Sequence, residues 1–418
     1  MNNHLPRAAR LATVMLAATL AAASAARAET FTLWARSDEA PFIATVVNAY
    51  NKSHDDKVRL SIVVAQQLVQ KFAVAEAAGS APDALSLDLI YTPAFAAAGQ
   101  LQDITDWARA LPYFAKLSPA HLKVATYRDR LYGVPFSAEA SILLYNKALF
   151  RKAGLDPDKP PASWAELRDD AEKIAGLGGD VHGWYLSAAC GGCQAFELTP
   201  FVWASGGGVL SDDGRTVTLN SPEVQGAVGL YRDLVAHAGV PASAQTDNGS
   251  NALTGFVAGK VGMQNLGAFA IGTLTTKYKS IEFGVAPIPG KDGGHASFAG
   301  GDNIVLTKGT QKQGAVKAFV EWAYTLDAQR LMVANGSLPV RADLAAQALS
   351  GVDPRYAVPA LAMQEGRTPF SAAYNDLFNS NNGPWTEALG RAIYGADPNA
   401  ALAKGQARMQ AIVDRSRK

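Results

Sequence analysis

Apolar residues recur along this chain with two different periods, and the periods alternate. Residues 31–34 (FTLW) are β-prone and weakly alternating, which predicts a strand. Over 41–51 the apolar positions are Phe42, Val46, Val47 and Tyr50, the stripe of an amphipathic helix. Residues 58–64 read as a buried strand, 68–78 as a helix stopped by Gly79, and 85–89 as a third strand followed by a short helix led by Pro93. Strand–helix alternation of this kind predicts a parallel α/β sheet. Ligands of such sheets bind beyond the carboxyl ends of the strands. The positions following Trp34, Val64 and Leu87 are therefore the first candidates for chemistry.

The stretch 131–167 is the densest in signals. Residues 132–135 and 142–145 are extended, and 147–153 form a short helix stopped by Gly154. Pro157, Pro160 and Pro161 forbid helix continuation. Ser163 and Glu166 then make a capping box for a helix running towards Ile174. A second alternation begins at 183–186. It continues with helices over 196–204, 221–238 and 251–258, and strands over 261–265 and 283–288. The last third reads as mainly helical, clearest at 317–324 and 328–334, and no internal repeat is evident.

The amino terminus sets the expected compartment. Arg7 and Arg10 precede an uncharged apolar run over 11–23, and Ala26-Arg27-Ala28 is an A-x-A cleavage site. This predicts a secretory signal peptide over 1–28, with an apolar run too short to span a bilayer. No cysteine lies near the site, so a lipid anchor is not expected. Cleavage would remove three of the 38 basic residues and none of the 37 acidic ones, leaving a net charge near −2. That balance gives no electrostatic footprint for nucleic acid or an anionic membrane.

Several phrases stand in a fixed order: AGSAPDALSLD ending at Asp88, LYGVPF at 131–136, ILLYNKALFRKAGLDPDKPPASWAEL at 142–167 and WASGGGVLSDDGRTVTLNSPEV at 203–224. FVAGKVGMQNLG at 256–267, FGVAPIPGKDG at 283–293, GGDNIVLTKGT at 300–310 and GSLPVRADL at 336–344 follow. The ordered set resembles the bacterial extracellular solute-binding proteins that include the maltose- and glycerol-3-phosphate-binding proteins, the ligand-capturing subunits of ABC importers. The resemblance covers almost the whole chain after residue 28. It implies a two-lobed α/β fold of the type II, maltose-binding-protein-like kind, with three crossovers near 137–143, 284–290 and 334–341. Lobe 1 would comprise 29–139 plus 290–337, and lobe 2 would comprise 140–289 plus 338–418. It also implies a monomer without cofactor, closing on one carbohydrate by hinge motion. Pro287, Pro289 and Pro339 would restrict where the hinge bends. The membrane permease would receive the ligand, and separate subunits would use ATP, since the chain has no GxxxxGK[ST] loop.

A sugar site needs aromatic faces for C–H surfaces and planar polar groups for vicinal hydroxyls. Trp34, Arg36 and Asp38 follow the first strand, Gln66 and Gln67 the second, and Asp88 and Tyr91 the third. Trp34 serves equally as core, the two glutamines as helix caps, and Arg36 and Asp38 as a solvated loop. Glu139 sits at the first expected crossover, where it contacts ligand or braces the hinge. Trp184 and Tyr185 are neighbours on a strand and point to opposite faces, with Tyr185 the better cleft candidate. Gln264, Asn265 and Phe269 surround Gly267 as platform and amides. Gly300, Gly301, Asp302 and Asn303 read as a turn or as a close backbone approach to ligand. Arg341 offers a fork for an anionic group or a structural ion pair.

Cys190 and Cys193 are the chain's only cysteines. In an oxidising compartment they predict a disulfide that shapes the loop after Tyr185, ahead of a thioredoxin-like motif. A zinc site lacks partners, because neither His182 nor His237 supplies a convincing pair. The expected ligand is a neutral mono- or disaccharide or glycoside. A polyol, an anionic sugar derivative or a glycerol phosphodiester is the alternative. A glycosidase would need two carboxyls at defined separation, for which Asp88 and Glu139 are the only suggestion.

Overall fold

The protein is described by a computed structural model covering residues 28–417; nearly all of the expected signal peptide lies outside them. Strands β1 (Thr30–Arg36), β2 (Lys57–Val63), β3 (Ala84–Asp88), β4 (Val134–Asn146), β5 (His182–Tyr185), β6 (Val261–Gly267), β7 (Phe283–Ala286) and β8 (Ala299–Leu306) make one sheet in the order β2-β1-β3-β8-β4-β6-β5, with β7 also on β4. β1 runs parallel to β2 and β3, as the strand–helix alternation requires. Helix α1 (Ala40–Ser53) buries Phe42, Ile43, Val46, Val47 and Tyr50, the stripe seen in the sequence. Helix α2 (Ala65–Ala77) begins three residues before its apolar pattern does.

β4 organises the molecule. Its first part, Val134 to Ala140, pairs with β8, and its second part, from Ser141 onward, pairs with β6 and β7. One strand thus serves two halves of the structure, and every residue of it is buried except the half-buried Glu139. β8 was not legible as a strand, because GGDN has the composition of a turn. It holds because Asp302 and Asn303 find polar partners inside; the register shift against β4 falls between these two residues, next to Gly301 at φ +115°.

Helix α3 (Trp164–Ala175) starts as its capping box predicts. Ser163 Oγ accepts from Glu166 N at 3.3 Å, while the Glu166 carboxylate accepts from Ala162 N at 2.8 Å. Helix α4 (Gly191–Ala204) starts five residues earlier than its apolar pattern, at the cysteine pair. Helices α5 (Pro222–His237) and α6 (Phe269–Lys277) cover the second half, and the helix predicted over 251–258 shrinks to Thr254–Val257.

Three chain segments lie side by side where the halves meet. Ser141 N donates to Phe298 O (3.1 Å), Ala299 N to Arg367 O (2.9 Å) and Arg367 N to Ser297 O (3.1 Å). Thr368 Oγ1 closes the group by donating to Ala299 O at 2.5 Å. Residues 297–299 and 366–368 thus lie beside the part of β4 where its pairing changes from β8 to β6. Residues 288–289 instead form a hairpin with 295–296, held by Trp164 Nε1 donating to Pro289 O (3.1 Å). Residues 338–340 stay on the first half, where Leu338 N donates to Ala138 O (2.8 Å) and Ser118 N to Val340 O (3.0 Å).

Candidate ligand-binding cleft

The ends of β1, β3 and β8 face the start of α4 and α6 across a cavity of about 380 Å³. Arg36, Asp88, Glu139 and Gly301 line it from the first half. Cys193, Phe196, Glu197, Phe269, Tyr374 and Asn379 line it from the second. A further compartment of about 770 Å³ shares Arg36, Glu139, Phe269 and Gly301 and continues past Glu39, Phe42 and Tyr356. The cleft is therefore a trough, pinched at those four shared residues.

The first wall is a charged network. Arg36 Nη2 donates to Asp302 Oδ1 at 2.6 Å and to Glu39 Oε1 at 3.2 Å, and Arg36 Nη1 lies 3.7 Å from Asp88 Oδ2. Asp302 is fully buried, and Ser86 Oγ donates to its Oδ2 at 2.8 Å. Ser137 Oγ donates to Glu39 at 3.0 Å and accepts from Asp302 N at 3.1 Å. Burial, and then the neighbouring Asp302 carboxylate, push the Glu39 carboxyl well above the usual carboxylate range.

The second wall is largely apolar and aromatic. Phe196 and Phe298 pack with centroids 5.1 Å apart, and Phe269 remains half exposed at the trough's pinch point. Phe269 N donates to Glu139 Oε1 at 3.3 Å, which ties β4 to the start of α6. Gly267 permits this approach, since a Cβ there would lie 2.2 Å from the same carboxylate oxygen. The pKa of the Glu197 carboxyl is raised well above its ordinary value by burial and, less, by Asp247.

The sequence candidates divide. The structure brings together Arg36, Asp88, Glu139, Phe269 and Gly301 on the cavity, with Asp302 directly behind Arg36. Tyr91 stands beside it, its hydroxyl accepting from Asn379 Nδ2 at 2.9 Å; burial and then Asp88 raise its pKa. Trp34 packs instead against the core beside α2, with Lys71 Nζ 5.2 Å from its ring. Gln67 is exposed at the start of α2, away from the cavity, and the side chains of Asp38 and Gln66 lie outside what is described.

Trp184 is wholly enclosed in the core of the second half. Tyr185 is also buried, and its hydroxyl donates to Asp247 Oδ2 at 2.9 Å. Gln264 and Asn265 are buried braces behind the wall, donating to Ala252 O (3.0 Å) and Glu197 O (2.8 Å). Asn303 Nδ2 points to Thr92 Oγ1 at 3.3 Å rather than to the cavity. Arg341 lies off the cleft, chelated to Asp343, donating to Tyr324 O at 3.0 Å and stacked 4.1 Å from the Tyr113 ring centroid.

Glu39, Phe196, Glu197, Phe298, Tyr374 and Asn379 were not among the candidates. Phe196 was read only as the first residue of a helix, and Tyr374 and Asn379 lie in a stretch with no period to read. Cys190 and Cys193 form a disulfide, with Cys193 in the cavity wall. Among the described residues no helix is long and apolar enough to cross a membrane, and no cluster could hold a metal ion.

Comparison with known proteins finds relatives in sequence and in fold. Residues 35–330 fit the family model described as bacterial extracellular solute-binding protein. A putative binding protein of Brucella abortus is 30% identical over 236 residues, covering 54% of this chain and 53% of that one. The chain thus spans about half the length of that relative. The diacetylchitobiose binding protein DasA of Streptomyces coelicolor is 26% identical, with 74% of this chain and 73% of that one covered. The fold is that of the cyclic α-maltosyl-1,6-maltose binding protein from Arthrobacter globiformis, with a TM-score of 0.80 at 22% identity over 93% of this chain and 100% of that one. By its sequence match and its two-lobed α/β fold, the chain belongs to the family of bacterial extracellular solute-binding proteins.

Proposed function

We propose that the chain is the substrate-capturing subunit of an ABC importer and that it takes a neutral carbohydrate, of mono- or disaccharide size, between the two walls. The observation that carries this reading is the state of Arg36. It is the one basic residue among those described on the inner cavity, and Asp302, Glu39 and Asp88 already surround it. An anionic solute would bring its charge against the carboxyl groups of Asp88 and Glu139. Neutral hydroxyls suit this wall, because carboxylates accept from vicinal O–H groups while Arg36 donates. The aromatic wall opposite supplies surface for ring C–H groups.

Relatives give the same direction: diacetylchitobiose for the Streptomyces coelicolor protein and maltotriose for one from Pyrococcus abyssi, by their names. The sn-glycerol-3-phosphate-binding protein of Escherichia coli is 26% identical over 190 residues, so an anionic ligand is the competing reading. On our reading the receptor acts as a monomer outside the cytoplasmic membrane after leader cleavage, without a lipid anchor. Closure about 140–141, 297–299 and 366–368 then presents the loaded form to a permease.

A thermal-shift panel of maltose, maltotriose, diacetylchitobiose, tagatose, a hexuronic acid and glycerol 3-phosphate tests this. A ligand that binds only the folded state raises its stability. A rise with a neutral sugar, with one-to-one saturation and no product, is expected. A rise with the anions alone, or turnover of a glycoside, would overturn it.

A further inference from the structure

The disulfide is part of the cavity rather than of the core. Cys193 lines the cavity, between Gly192 and, one turn on, Phe196 and Glu197. Cys190 is the residue before α4, and its Sγ accepts from Cys193 N at 3.2 Å, so the bridge closes the helix's first turn. That turn contains Gly191 and Gly192, and glycine is the poorest helix former after proline. On its own it would fray.

The bridge also has a second contact surface. A Cβ on Gly249 would lie 2.8 Å from Cys193 Sγ and 3.3 Å from Cys190 Sγ, so this glycine, at φ +95°, rests on both sulfurs. Gly249 and Ala252 line the same cavity. Asp247 anchors their loop from behind: Ala189 N donates to its carbonyl (2.9 Å), and Ser187 Oγ and Tyr185 Oη both donate to its Oδ2 (2.9 Å each). The start of α4 and the 247–252 loop therefore meet across sulfur at the edge of the cavity.

We propose that the Cys190–Cys193 bridge positions this wall, and that the oxidised protein is the high-affinity form of the receptor. The proposal rests on the carbohydrate-capture reading for its ligand. Reduction by a dithiol transfers two electrons and two protons to the S–S bond, giving two thiols and the reductant's own cyclic disulfide. The unbonded sulfurs must then separate, and Gly249 stands against both. The first turn of α4 loses its clasp, and Phe196 and Glu197 follow it. The contribution of the bridge to global stability is at the low end for disulfides, because it closes so short a loop.

The test compares the oxidised protein, the dithiothreitol-reduced protein and the Cys190→Ser/Cys193→Ser variant. Hydrogen exchange without sugar should accelerate at least fivefold in peptides covering 190–197 and 247–252 but not in β1–β3. Affinity for the panel sugar with the largest thermal shift should fall at least fivefold in both bridge-free forms. That sugar at saturation should slow reduction, since coupling between two sites is reciprocal. Gly249→Ala keeps the bridge but displaces it, and should weaken binding in the same direction. Unchanged exchange in both segments, or equal affinity in all three forms, would overturn the proposal. If the oxidised protein binds no panel sugar, the capture reading fails while the exchange measurement still decides the positioning claim.

Discussion

The two walls of the cleft are built from opposite materials. The first is a set of carboxylates around one guanidinium, locked by Ser86, Ser137 and the buried Asp302. The second is aromatic, with Phe269 half exposed and the backbone clasped by a disulfide. A charged wall is costly to leave without partners, so most of its hydrogen bonds are already made. An aromatic wall needs only shape and area, so it tolerates exposure. On this account the first wall orients hydroxyls and the second gathers ring surface.

Breaking the first wall at its buried end should have the largest effect. Asp302→Ala takes from Arg36 its shortest carboxylate contact and leaves Ser86 without its acceptor. Removing one member of a buried ion pair costs about 3 kcal/mol, and urea unfolding should register a loss of that order. A loss below 1 kcal/mol would mean that the network is not a preformed unit.

A pH profile sharpens the same side. His121 is buried, its two ring nitrogens bonded to Ser118 Oγ (2.8 Å) and to the carbonyl of Ser137 on β4 (2.9 Å), and burial lowers its pKa from 6.5 to about 4. The unfolded state binds the extra proton between those values, so stability rises with pH through this window and is lost on acidification. The loss should reach about 2 kcal/mol by pH 5. Glu39 and Glu197, with raised pKa values, act in the opposite sense above pH 4.5. The difference between parent and His121→Gln profiles isolates the histidine; identical profiles would refute the assignment.

Smaller changes should separate binding from stability. Asp88→Ala removes an acceptor from the cavity while leaving Arg36 its Asp302 partner. Affinity for a neutral sugar should fall at least tenfold, about 1.4 kcal/mol, with thermal unfolding nearly unchanged. Phe269→Ala, at a half-exposed ring, should cost about fivefold in affinity and nothing measurable in unfolding. If Phe269→Ala destabilises the fold, its ring is core and the contrast between walls fails.

What the sequence revealed follows from the same physics. Positions at strand ends are legible because an α/β sheet forces them to the crevice, and Arg36 and Asp88 were picked out that way, whereas Glu139 was picked out at the expected crossover. The capping box and the disulfide were legible because their chemistry is local. β8 was not, because a buried strand carrying Asp302 and Asn303 owes its stability to partners more than two hundred residues away. Trp184 was singled out on a strand and Arg341 just past an expected crossover, but long-range packing took them into a core and an ion pair. Tyr374 and Asn379 reach the cavity through a stretch without periodicity, so no pattern marked them.

The central claim is that both walls grip one neutral ligand. Calorimetric titration of the parent, Asp88→Ala, Phe269→Ala and the double variant with the sugar selected by the thermal panel tests it most directly. The account predicts one-to-one binding by the parent, weaker binding by each single variant, and the weakest binding by the double variant. Parent affinity retained in either single variant would contradict it, because the ligand would then rest on one wall alone.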